Sequence, residues 1–257
     1  MRLRRLRLRL RLCRRWPLSQ ALPSRDLLAI QNEWLRPARA SLLRRARIAT
    51  RQRVLDLGAG YGQAAGELHR RCGGWAVAVD HHFDSMHEAS RTVTAPSWVC
   101  ANAQALPFGL GTFDLVFSQF VLLWVNAEQT VGEVHRVLLA GGSFALIEPD
   151  YGGMLEHPET IVTRRLWLDA LHRAGADPLI GRRLPALLER AGFDVEIEMT
   201  SRPQPANPVR LDLLAELPLT PEERQELERI RKEHETLRGT WGGLAHLPLF
   251  LVSATRR

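Results

Sequence analysis

The stretch Val54-Leu55-Asp56-Leu57-Gly58-Ala59-Gly60-Tyr61-Gly62-Gln63 is the most informative part of the sequence. An apolar run passes into a turn with glycines at alternate positions, and an amphipathic segment, Gln63 to Cys72, follows. This pattern predicts a buried strand, a tight loop and the start of a helix, an arrangement that exposes backbone groups to a nucleotide-like ligand. Glycines can adopt positive φ there and admit a ligand where a Cβ atom would collide.

The spacing of these glycines narrows the class of ligand. A dinucleotide-binding loop has the pattern G-x-G-x-x-G, and the start of its helix faces a pyrophosphate. Here the pattern is G-x-G-x-G, position 63 is Gln, and Asp56 precedes the first glycine. A carboxylate directed into the site repels a pyrophosphate but attracts the ammonium group of a cationic ligand. A nicotinamide oxidoreductase is therefore disfavoured.

A second acid ends the next apolar run. Residues 75–80 read W-A-V-A-V-D, which places Asp80 eighteen residues after Gly62. About 20 residues past a glycine loop, an acid at a strand end takes the ribose hydroxyls of a bound nucleotide. An aspartate at this point can also cap the following helix. The spacing favours the ribose role.

Together with later segments, these motifs resemble those of the class I S-adenosylmethionine-dependent methyltransferases. D-L-G-A-G-Y-G is similar to the first motif of that family, and A-N-A-Q-A-L-P-F at 101–108 is similar to its G-D-A-x-x-L-P-F segment. F-D-L-V-F-S at 113–118, E-x-x-R-V-L-x-x-G-G at 133–142 and E-P-D-Y-G-G at 148–153 continue the match. The likeness is strongest to small-molecule members such as the ubiquinone and menaquinone C-methyltransferases.

The resemblance implies an α/β fold, a Rossmann-like seven-stranded doubly wound sheet with strand order 3-2-1-4-5-7-6 and an antiparallel last strand. The alternation of predicted strands and helices independently indicates an open α/β sheet. The predicted elements outside the motifs are a helix at 127–139 ended by Gly141 and Gly142, a strand at 143–147, helices at 158–174 and 182–191, a strand at 193–199, a helix at 221–237 with a capping box at its start, and a strand at 249–254.

The resemblance also implies S-adenosylmethionine as the cofactor. Asp56 would orient its amino-acid end, with backbone access at Gly58, Ala59 and Gly60, and Asp80 would hold its ribose. We expect Ser118 at the carboxyl end of the fourth strand, where ligands bind in such sheets.

The adenine would lie against Asn102 and Ala103, with His81 lining the pocket or exposed to solvent. Relatives have an acid at the position of Asn102, but an amide oxygen can also accept a hydrogen bond from the adenine amino group.

Candidate catalytic residues follow the fifth strand. Methyl transfer from a sulfonium is an in-line displacement that needs mainly orientation and exclusion of water. Tyr151 and His157 could act as a base on an acceptor hydroxyl, although stacking for Tyr151 and a surface position for His157 are alternatives. Trp124 and Trp167 could line an apolar acceptor pocket or simply pack in the core.

Two polar clusters have weaker interpretations. His81, His82 and His87 with Asp84 suggest a metal site, but their spacing is poor for one helical face, and no metal is predicted. Arg182-Arg183 could bind an anionic acceptor group or be solvated charges at a helix start.

The chain divides into three predicted parts: a basic tail at 1–21, a helical lid segment at 22–50 and a methyltransferase domain at 51–257. Pro37 interrupts the lid segment, so two short helices are predicted there. Simple packing of this segment on the sheet is an equal alternative to a lid.

The net charge of +7 comes from the tail, because residues 1–15 contain eight arginines and no acid, which leaves −1 for the remainder. We interpret the tail as disordered. Binding to nucleic acid or anionic membrane and an organellar address are alternatives.

We therefore predict a methyltransferase acting on a small, partly apolar metabolite, and nucleic acid is not expected as a partner. The alternatives are an RNA methyltransferase that uses the arginine tail and a non-catalytic protein that binds S-adenosylmethionine. No apolar run approaches the ~18 residues of a membrane span. Three unclustered cysteines favour neither disulfides nor zinc, so a cytoplasmic location is expected. The sequence does not indicate an oligomeric state.

Overall fold

The computed structural model describes residues 22–93, 96–200 and 203–257, and the tail at 1–21 lies outside them. Within these residues the strands are β1 (Arg53–Leu57), β2 (Trp75–Asp80), β3 (Ser97–Cys100), β4 (Phe113–Gln119), β5 (Leu138–Pro149), β6 (Leu155–His157), β7 (Phe193–Met199), β8 (Gln204–Pro205), β9 (Leu244–His246) and β10 (Leu249–Arg256). The helices are α1 (Arg25–Arg45), α2 (Ala65–Arg71), α3 (Phe83–Thr92), α4 (Ala127–Val137), α5 (Arg164–Arg173), α6 (Ile180–Arg190), α7 (Val209–Ala215) and α8 (Pro221–Leu237).

The main sheet has seven strands in the order β3-β2-β1-β4-β5-β10-β7. The first five pair in parallel, whereas β10 lies between β5 and β7 and is antiparallel to both. Since β7 and β10 are the sixth and seventh strands of this sheet along the chain, the predicted order 3-2-1-4-5-7-6 with an antiparallel last strand is confirmed.

The two faces of the main sheet bury separate apolar cores, because successive side chains of a strand point to opposite faces. On one face Leu42 and Leu43 of α1 pack in a cluster with Phe117 of β4. On the other, Leu57 of β1 and Leu146 of β5 share a cluster with α4, α5 and α6.

The prediction of two short helices around Pro37 is wrong, because α1 is a single helix from Arg25 to Arg45 with Pro37 inside it. Proline removes one helical hydrogen bond, so other contacts must hold the two halves together. Leu35 and Leu42 are buried on either side of Pro37. Arg39 also bridges it, since its Nη1 donates to Oδ1 of Asn32 at 2.8 Å. Tertiary packing thus overrides the local preference.

Strand β5 begins earlier than predicted, at Leu138, and α4 ends at Val137. Gly141 and Gly142 therefore lie within β5 rather than ending a helix. Phe113 of β4 pairs with Leu138, but Leu115 pairs with Ser143, so the extra residues of β5 form a bulge. The φ of 73° at Gly141 serves that bulge.

The helix predicted at 158–174 begins only at Arg164. The preceding residues form β6 and a 3-10 turn, Glu159–Ile161. Glu156 of β6 sets the start of α5, because its Oε2 accepts hydrogen bonds from the backbone N–H groups of Thr163 at 2.8 Å and Arg164 at 2.9 Å. Helix α6 likewise starts at Ile180, two residues before its predicted start.

The capping box predicted for α8 is confirmed. Thr220 Oγ1 accepts from the backbone N–H of Glu223 at 3.2 Å, and Glu223 Oε2 accepts from the N–H of Thr220 at 2.8 Å. Pro221 occupies the first turn, where its missing N–H costs nothing. The bounds predicted for α8 and β7 agree with the structure.

A second sheet, β6-β9-β8, was not predicted. β6 follows the carboxyl end of β5, β8 follows that of β7, and β9 precedes the start of β10. Because β10 is antiparallel to its neighbours, these three points lie at the same edge of the main sheet. The small sheet therefore stands beside the carboxyl ends of the parallel strands, where ligands bind in doubly wound folds. Among the described helices, none is long and apolar enough to cross a membrane.

Candidate active site

The glycine loop, residues 58–62, is tied to the end of β2. The backbone N–H groups of Gly58 and Ala59 both donate to the carbonyl of Val79, at 2.8 and 2.9 Å. The N–H of Gly60 donates to Oδ2 of Asp80 at 2.8 Å. The loop predicted from the first motif and the acid predicted from the second are therefore in direct contact.

Two glycines of this loop differ in what surrounds them. Gly58 has φ 75°, and a Cβ atom there would lie 2.2 Å from Cγ2 of Val121. Gly60 has φ 52°, and a Cβ atom there would meet nothing within 4 Å. Gly58 is thus required by packing within the protein, whereas Gly60 faces open space that a ligand can fill.

Asp56 lies in β1 and is buried, and its Oδ2 has no hydrogen-bond partner. Burial raises the pKa of Asp56 to about 7, the charge of Arg39 opposes this rise, and the charge of Asp80 adds to it. A buried carboxyl oxygen without a partner is costly unless a ligand or water satisfies it. A cationic donor such as an ammonium group would supply both the hydrogen bond and the charge.

Each carboxylate oxygen of Asp80 accepts one backbone hydrogen bond. Oδ2 accepts from Gly60, and Oδ1 accepts from the backbone N–H of His82 at 2.8 Å. The second bond fixes the start of α3, so the capping role and a ligand role are compatible. A carboxylate has about four acceptor positions, so one remains on each oxygen.

His81 stands between Asp80 and His82. Its Nδ1 lies 3.4 Å from Oδ1 of Asp80, and its ring centroid lies 4.3 Å from that of His82. Burial lowers the pKa of His81, the charge of Asp80 opposes that effect, and His82 reinforces it. Its Nε2 is buried without a partner. Among the described residues there is no group of three or more side chains suited to hold a metal ion.

Arg39 of α1 was missed by the sequence analysis. It is buried, and its Nε lies 2.8 Å from Oε2 of Glu67 in α2. Its Nη1 donates to Oε1 of Gln119 at the end of β4, at 3.0 Å. Although burial opposes ionisation, hydrogen bonds from Arg39 and Arg71 hold the pKa of Glu67 below its ordinary value. The guanidinium thus joins α1 to the elements that carry the glycine loop and the end of β4.

The sequence did contain a signal for this arginine. Leu35, Arg39, Leu42 and Leu43 are spaced as the apolar positions of one helix face. A cation at a core position of that stripe is either paired or destabilising.

Asn102 and Ala103 lie in the turn after β3 and are half-buried. Oδ1 of Asn102 accepts from the backbone N–H of Gln104 at 2.9 Å, so the amide oxygen stabilises its own turn. The N–H of Ala101 donates to the carbonyl of Asp80 at 2.9 Å, which brings this turn beside the end of β2. The amide oxygen that was predicted to accept from the adenine amino group is therefore already engaged within the turn.

Ser118 and Asp56 lie on opposite faces of the sheet. In the β1–β4 register Asp56 pairs with Phe117, and Ser118 pairs with Leu57. Ser118 is buried, and its Oγ has no partner. The structure therefore separates Ser118 from the carboxylate predicted to share its ligand, and places it on the face of the sheet that also carries Leu146.

Tyr151 follows β5 and is buried, with its ring stacked on Trp167 at a centroid distance of 4.9 Å. Burial, with a smaller contribution from Glu148, raises the pKa of Tyr151 well above its ordinary value. Its hydroxyl is protonated at neutral pH and can donate a hydrogen bond. His157 lies exposed in β6, opposite Leu244 of β9. The two residues predicted as bases therefore occupy different environments.

The arginines proposed for anion binding are each paired with a carboxylate. Nε of Arg182 lies 2.7 Å from Oδ2 of Asp150, and Nη1 of Arg183 lies 2.5 Å from Oδ2 of Asp177. Arg182 thus stabilises the turn after β5, and neither guanidinium is an uncompensated charge.

Comparison with known proteins identifies the family. A family model described as a methyltransferase domain matches residues 55–146. The chain is 33% identical over 154 residues to an uncharacterized methyltransferase of Synechocystis, a match that covers 58% of this chain and 69% of that protein. The chain belongs to the class I S-adenosylmethionine-dependent methyltransferases. It is therefore an enzyme whose cofactor is S-adenosylmethionine.

Other relatives match over a smaller share of their length. A malonyl-[acyl-carrier protein] O-methyltransferase of Laribacter hongkongensis is 36% identical over 138 residues, 44% of this chain and 46% of that protein. Among solved structures, one described as a methyltransferase from Bacillus halodurans has a TM-score of 0.64 at 20% identity and covers 84% of this chain and 97% of its own. The structural likeness shows the fold.

The residues present fit this cofactor. The open space beside Gly60 admits a ligand to the backbone of the glycine loop, and the unpartnered Oδ2 of Asp56 suits an ammonium group. S-adenosylmethionine supplies a methyl group activated by a positively charged sulfur. The protein needs to bind and orient it and to exclude water from the carboxyl edge of the sheet.

Proposed function

We propose that this methyltransferase acts on a small, partly apolar metabolite held at the carboxyl end of β5. The stack of Tyr151 on Trp167 carries this proposal, because it places two buried aromatic rings at the point where the chain leaves the main sheet. Both rings belong to an apolar cluster that also contains Leu123 and Met154. An acceptor with an apolar body matches such surroundings.

For the donor we propose the roles predicted from the motifs. Asp56 binds the ammonium of the amino-acid end, and Gly58, Ala59 and Gly60 allow its close approach. The ribose lies against Asp80 and the adenine against His81, Asn102 and Ala103. Ser118 is also proposed to contact the donor, from the face of the sheet opposite to that of Asp56.

For the transfer step, the proposed contribution of the protein is alignment of the acceptor with the donor methyl group. Tyr151 would donate a hydrogen bond to a polar group of the acceptor, since its raised pKa makes it a poor base at neutral pH. His157 is proposed as a proton acceptor at the small sheet for substrates whose hydroxyl must lose a proton.

The names of related proteins are compatible with small or partly apolar acceptors. One curated relative is a malonyl-[acyl-carrier protein] O-methyltransferase. A solved geranyl diphosphate C-methyltransferase of Streptomyces coelicolor shares the fold, with a TM-score of 0.56 at 14% identity. These acceptors differ widely in polarity, so the methylated atom is left to experiment.

The test is a titration of the purified chain with S-adenosylmethionine, with NADH as the comparison ligand, followed by a panel of small acceptors. We expect micromolar binding of the methyl donor, no binding of NADH and methylation of an acceptor with an apolar body. Absence of donor binding by folded protein would contradict the proposed donor site. Methylation of RNA in place of every small acceptor would contradict the acceptor class.

The RNA alternative depends on the arginine-rich tail, which lies outside the described residues. Residues 16–257 carry no excess of positive charge, since the whole chain has +7 and residues 1–15 contain eight arginines. Deletion of residues 1–15 should leave donor binding and turnover unchanged under the favoured proposal. A cytoplasmic location also remains a prediction.

Gly60→Ala and Gly58→Ala form a matched pair that tests the donor site. Gly60→Ala should weaken donor binding by roughly 10-fold or more, because its methyl group would enter the open space, with a stability loss of about 1 kcal/mol from positive φ. Gly58→Ala should mainly destabilise the fold, because its methyl group would overlap Val121, and should weaken donor binding only through displacement of the loop. Calorimetric titration and thermal unfolding separate the two effects. Normal donor affinity in Gly60→Ala would place the donor elsewhere.

A further inference from the structure

The turn after β4, residues 120–124, has an unusual backbone conformation. Phe120 has φ 56°, which is sterically unfavourable for a residue with a large side chain. Its N–H donates to the carbonyl of Ile147 in β5 at 2.9 Å. Leu122–Trp124 then form a 3-10 turn. Such strained segments persist only where surrounding contacts hold them, and they concentrate at functional sites. We call residues 120–124 the β4 turn.

Glu148 is the side chain that holds the β4 turn. It lies near the end of β5 and is fully buried. Its Oε1 accepts hydrogen bonds from the backbone N–H groups of Val121 at 2.9 Å and Leu122 at 2.8 Å. These are the free donors at the start of the 3-10 turn, where a buried acceptor is needed. One carboxyl oxygen thus satisfies two adjacent backbone groups.

The β4 turn in turn supports the glycine loop. The side chain of Val121 fills the space beside Gly58, since a Cβ atom built at Gly58 would lie only 2.2 Å from Cγ2 of Val121. Glycine at 58 therefore allows close contact between the β4 turn and the loop that also carries Gly60. A displacement of Val121 would remove the packing that holds this loop in place.

We propose that Glu148 is a positioning residue for donor binding, which acts through the β4 turn by holding Val121 against Gly58. This inference rests on the proposed donor site at the glycine loop. Glu148 does not contact the donor in this arrangement. It instead links the end of β5 to the glycine loop at the end of β1. Tyr151, which is proposed to contact the acceptor, follows the same strand β5.

The protonation state of Glu148 gives the coupling a measurable signature. Burial raises the pKa of Glu148 to about 8, against hydrogen bonds from the backbone of Leu122 and Val121 that favour the charged form. Among the described residues, the phenol of Tyr151, in the turn after β5, is a titratable group whose pKa responds to the charge of Glu148. At pH 7 the carboxyl group is therefore mostly neutral, with Oε2 buried and without a partner.

Ionisation of Glu148 above about pH 8 strengthens the hydrogen bonds that Oε1 accepts from Val121 and Leu122, but it leaves a buried charge that lacks a partner at Oε2. Because the pKa is raised despite those bonds, the cost of burying the charge outweighs them. Such a charge is relieved by access to water. Water can reach this group when the β4 turn opens, which would loosen the contact of Val121 with Gly58. The wild-type enzyme should therefore bind the donor more weakly above pH 8. Glu148→Gln keeps an acceptor oxygen but cannot ionise, so its donor affinity should not show this loss.

The experiment measures the dissociation constant of S-adenosylmethionine by calorimetry between pH 6.5 and about 9.5, for the wild type, Glu148→Gln and Glu148→Ala. Glu128→Gln, at an exposed position of α4, is the control. We expect Glu148→Gln to bind within about 3-fold of wild type at pH 7 and to exceed it increasingly above pH 8. Glu148→Ala should bind roughly 10-fold or more weakly, because two buried N–H groups lose their acceptor.

Loss of a proton by the donor amino group affects all variants equally, so the comparison at each pH removes it. Parallel pH profiles of the wild type and Glu148→Gln would overturn the proposal, and so would wild-type affinity in folded Glu148→Ala. If Glu148→Ala does not fold, the pH profiles decide alone. Failure of the wild type to bind the donor would instead contradict the proposed donor site, so the two failures are distinguishable.

Discussion

Arg39→Met should lower the free energy of unfolding by about 1.5–3 kcal/mol, because Glu67 loses a charged hydrogen-bond donor although its pair with Arg71 remains. Arg39 is buried, and its Nε lies 2.8 Å from Oε2 of Glu67. The substitution keeps most of the side-chain volume and removes the charge and the hydrogen bonds to Glu67, Asn32 and Gln119. Urea denaturation monitored by circular dichroism measures the change.

Arg36→Met is the matched control on the same helix. Arg36 pairs with Glu33 at 3.2 Å, but both side chains are mostly exposed. Exposed pairs contribute little, so this variant should stay within about 0.5 kcal/mol of the wild type. Equal effects of the two substitutions would show that the buried network does not stabilise α1 on the sheet.

Arg39→Met should also change the pH dependence of donor binding. The pKa of Asp56 is raised to about 7 by burial, and the charge of Arg39 limits that rise. A donor that carries an ammonium group prefers ionised Asp56, so its affinity should increase as the pH rises through about 7. Without Arg39 the midpoint of this increase should move to higher pH. An unchanged midpoint in folded Arg39→Met would show that the charge of Arg39 does not affect the pKa of Asp56.

The strand order followed from the resemblance to the methyltransferase family, whereas the positions of the glycine loop and Asp80 at the ends of the first two strands followed from patterns that are local in sequence. A loop with three alternate glycines specifies its own backbone, and an acid at the end of the next strand falls beside it in any doubly wound sheet. The hydrogen bond from the N–H of Gly60 to Asp80 shows that the two predicted segments lie side by side. Local chemistry was sufficient here.

The errors concern features that depend on distant contacts. Pro37 indicates a break by itself, yet burial of Leu35 and Leu42 on the sheet keeps α1 continuous. Gly141 indicates a helix end, but pairing of β5 with β4 makes it part of a bulge. The small sheet joins three short segments that are far apart in the chain, none of which has a strong strand pattern alone. Periodicity cannot report such pairings.

The part played by Glu148 could not be read from the sequence for a similar reason. Its carboxyl group accepts from Val121 and Leu122, which lie 27 and 26 residues earlier in the chain. Nothing in the local pattern E-P-D-Y-G-G distinguishes an acid that faces a substrate from one that holds a neighbouring turn. The distinction appears only when β4 and β5 are side by side.

Asp80→Ala should weaken the binding of S-adenosylmethionine by roughly 100-fold or more. Two hydrogen bonds from ribose hydroxyls to a carboxylate contribute about 1.5–3 kcal/mol each, and 1.4 kcal/mol corresponds to a factor of ten. Each oxygen of Asp80 already accepts one backbone hydrogen bond, from Gly60 or His82, and retains an acceptor position. Asp84→Ala, at an exposed position of α3, is the control and should bind normally.

Loss of donor binding alone would not prove a ribose contact, because Asp80→Ala also releases the N–H groups of Gly60 and His82. A donor analogue that lacks the ribose 2′-hydroxyl separates the two causes. If Asp80 holds the ribose, the substitution and the missing hydroxyl remove the same interaction, so their effects on affinity should be clearly less than additive. Additive effects would instead mean that Asp80 only shapes the glycine loop and the start of α3, and that the ribose is held by other groups.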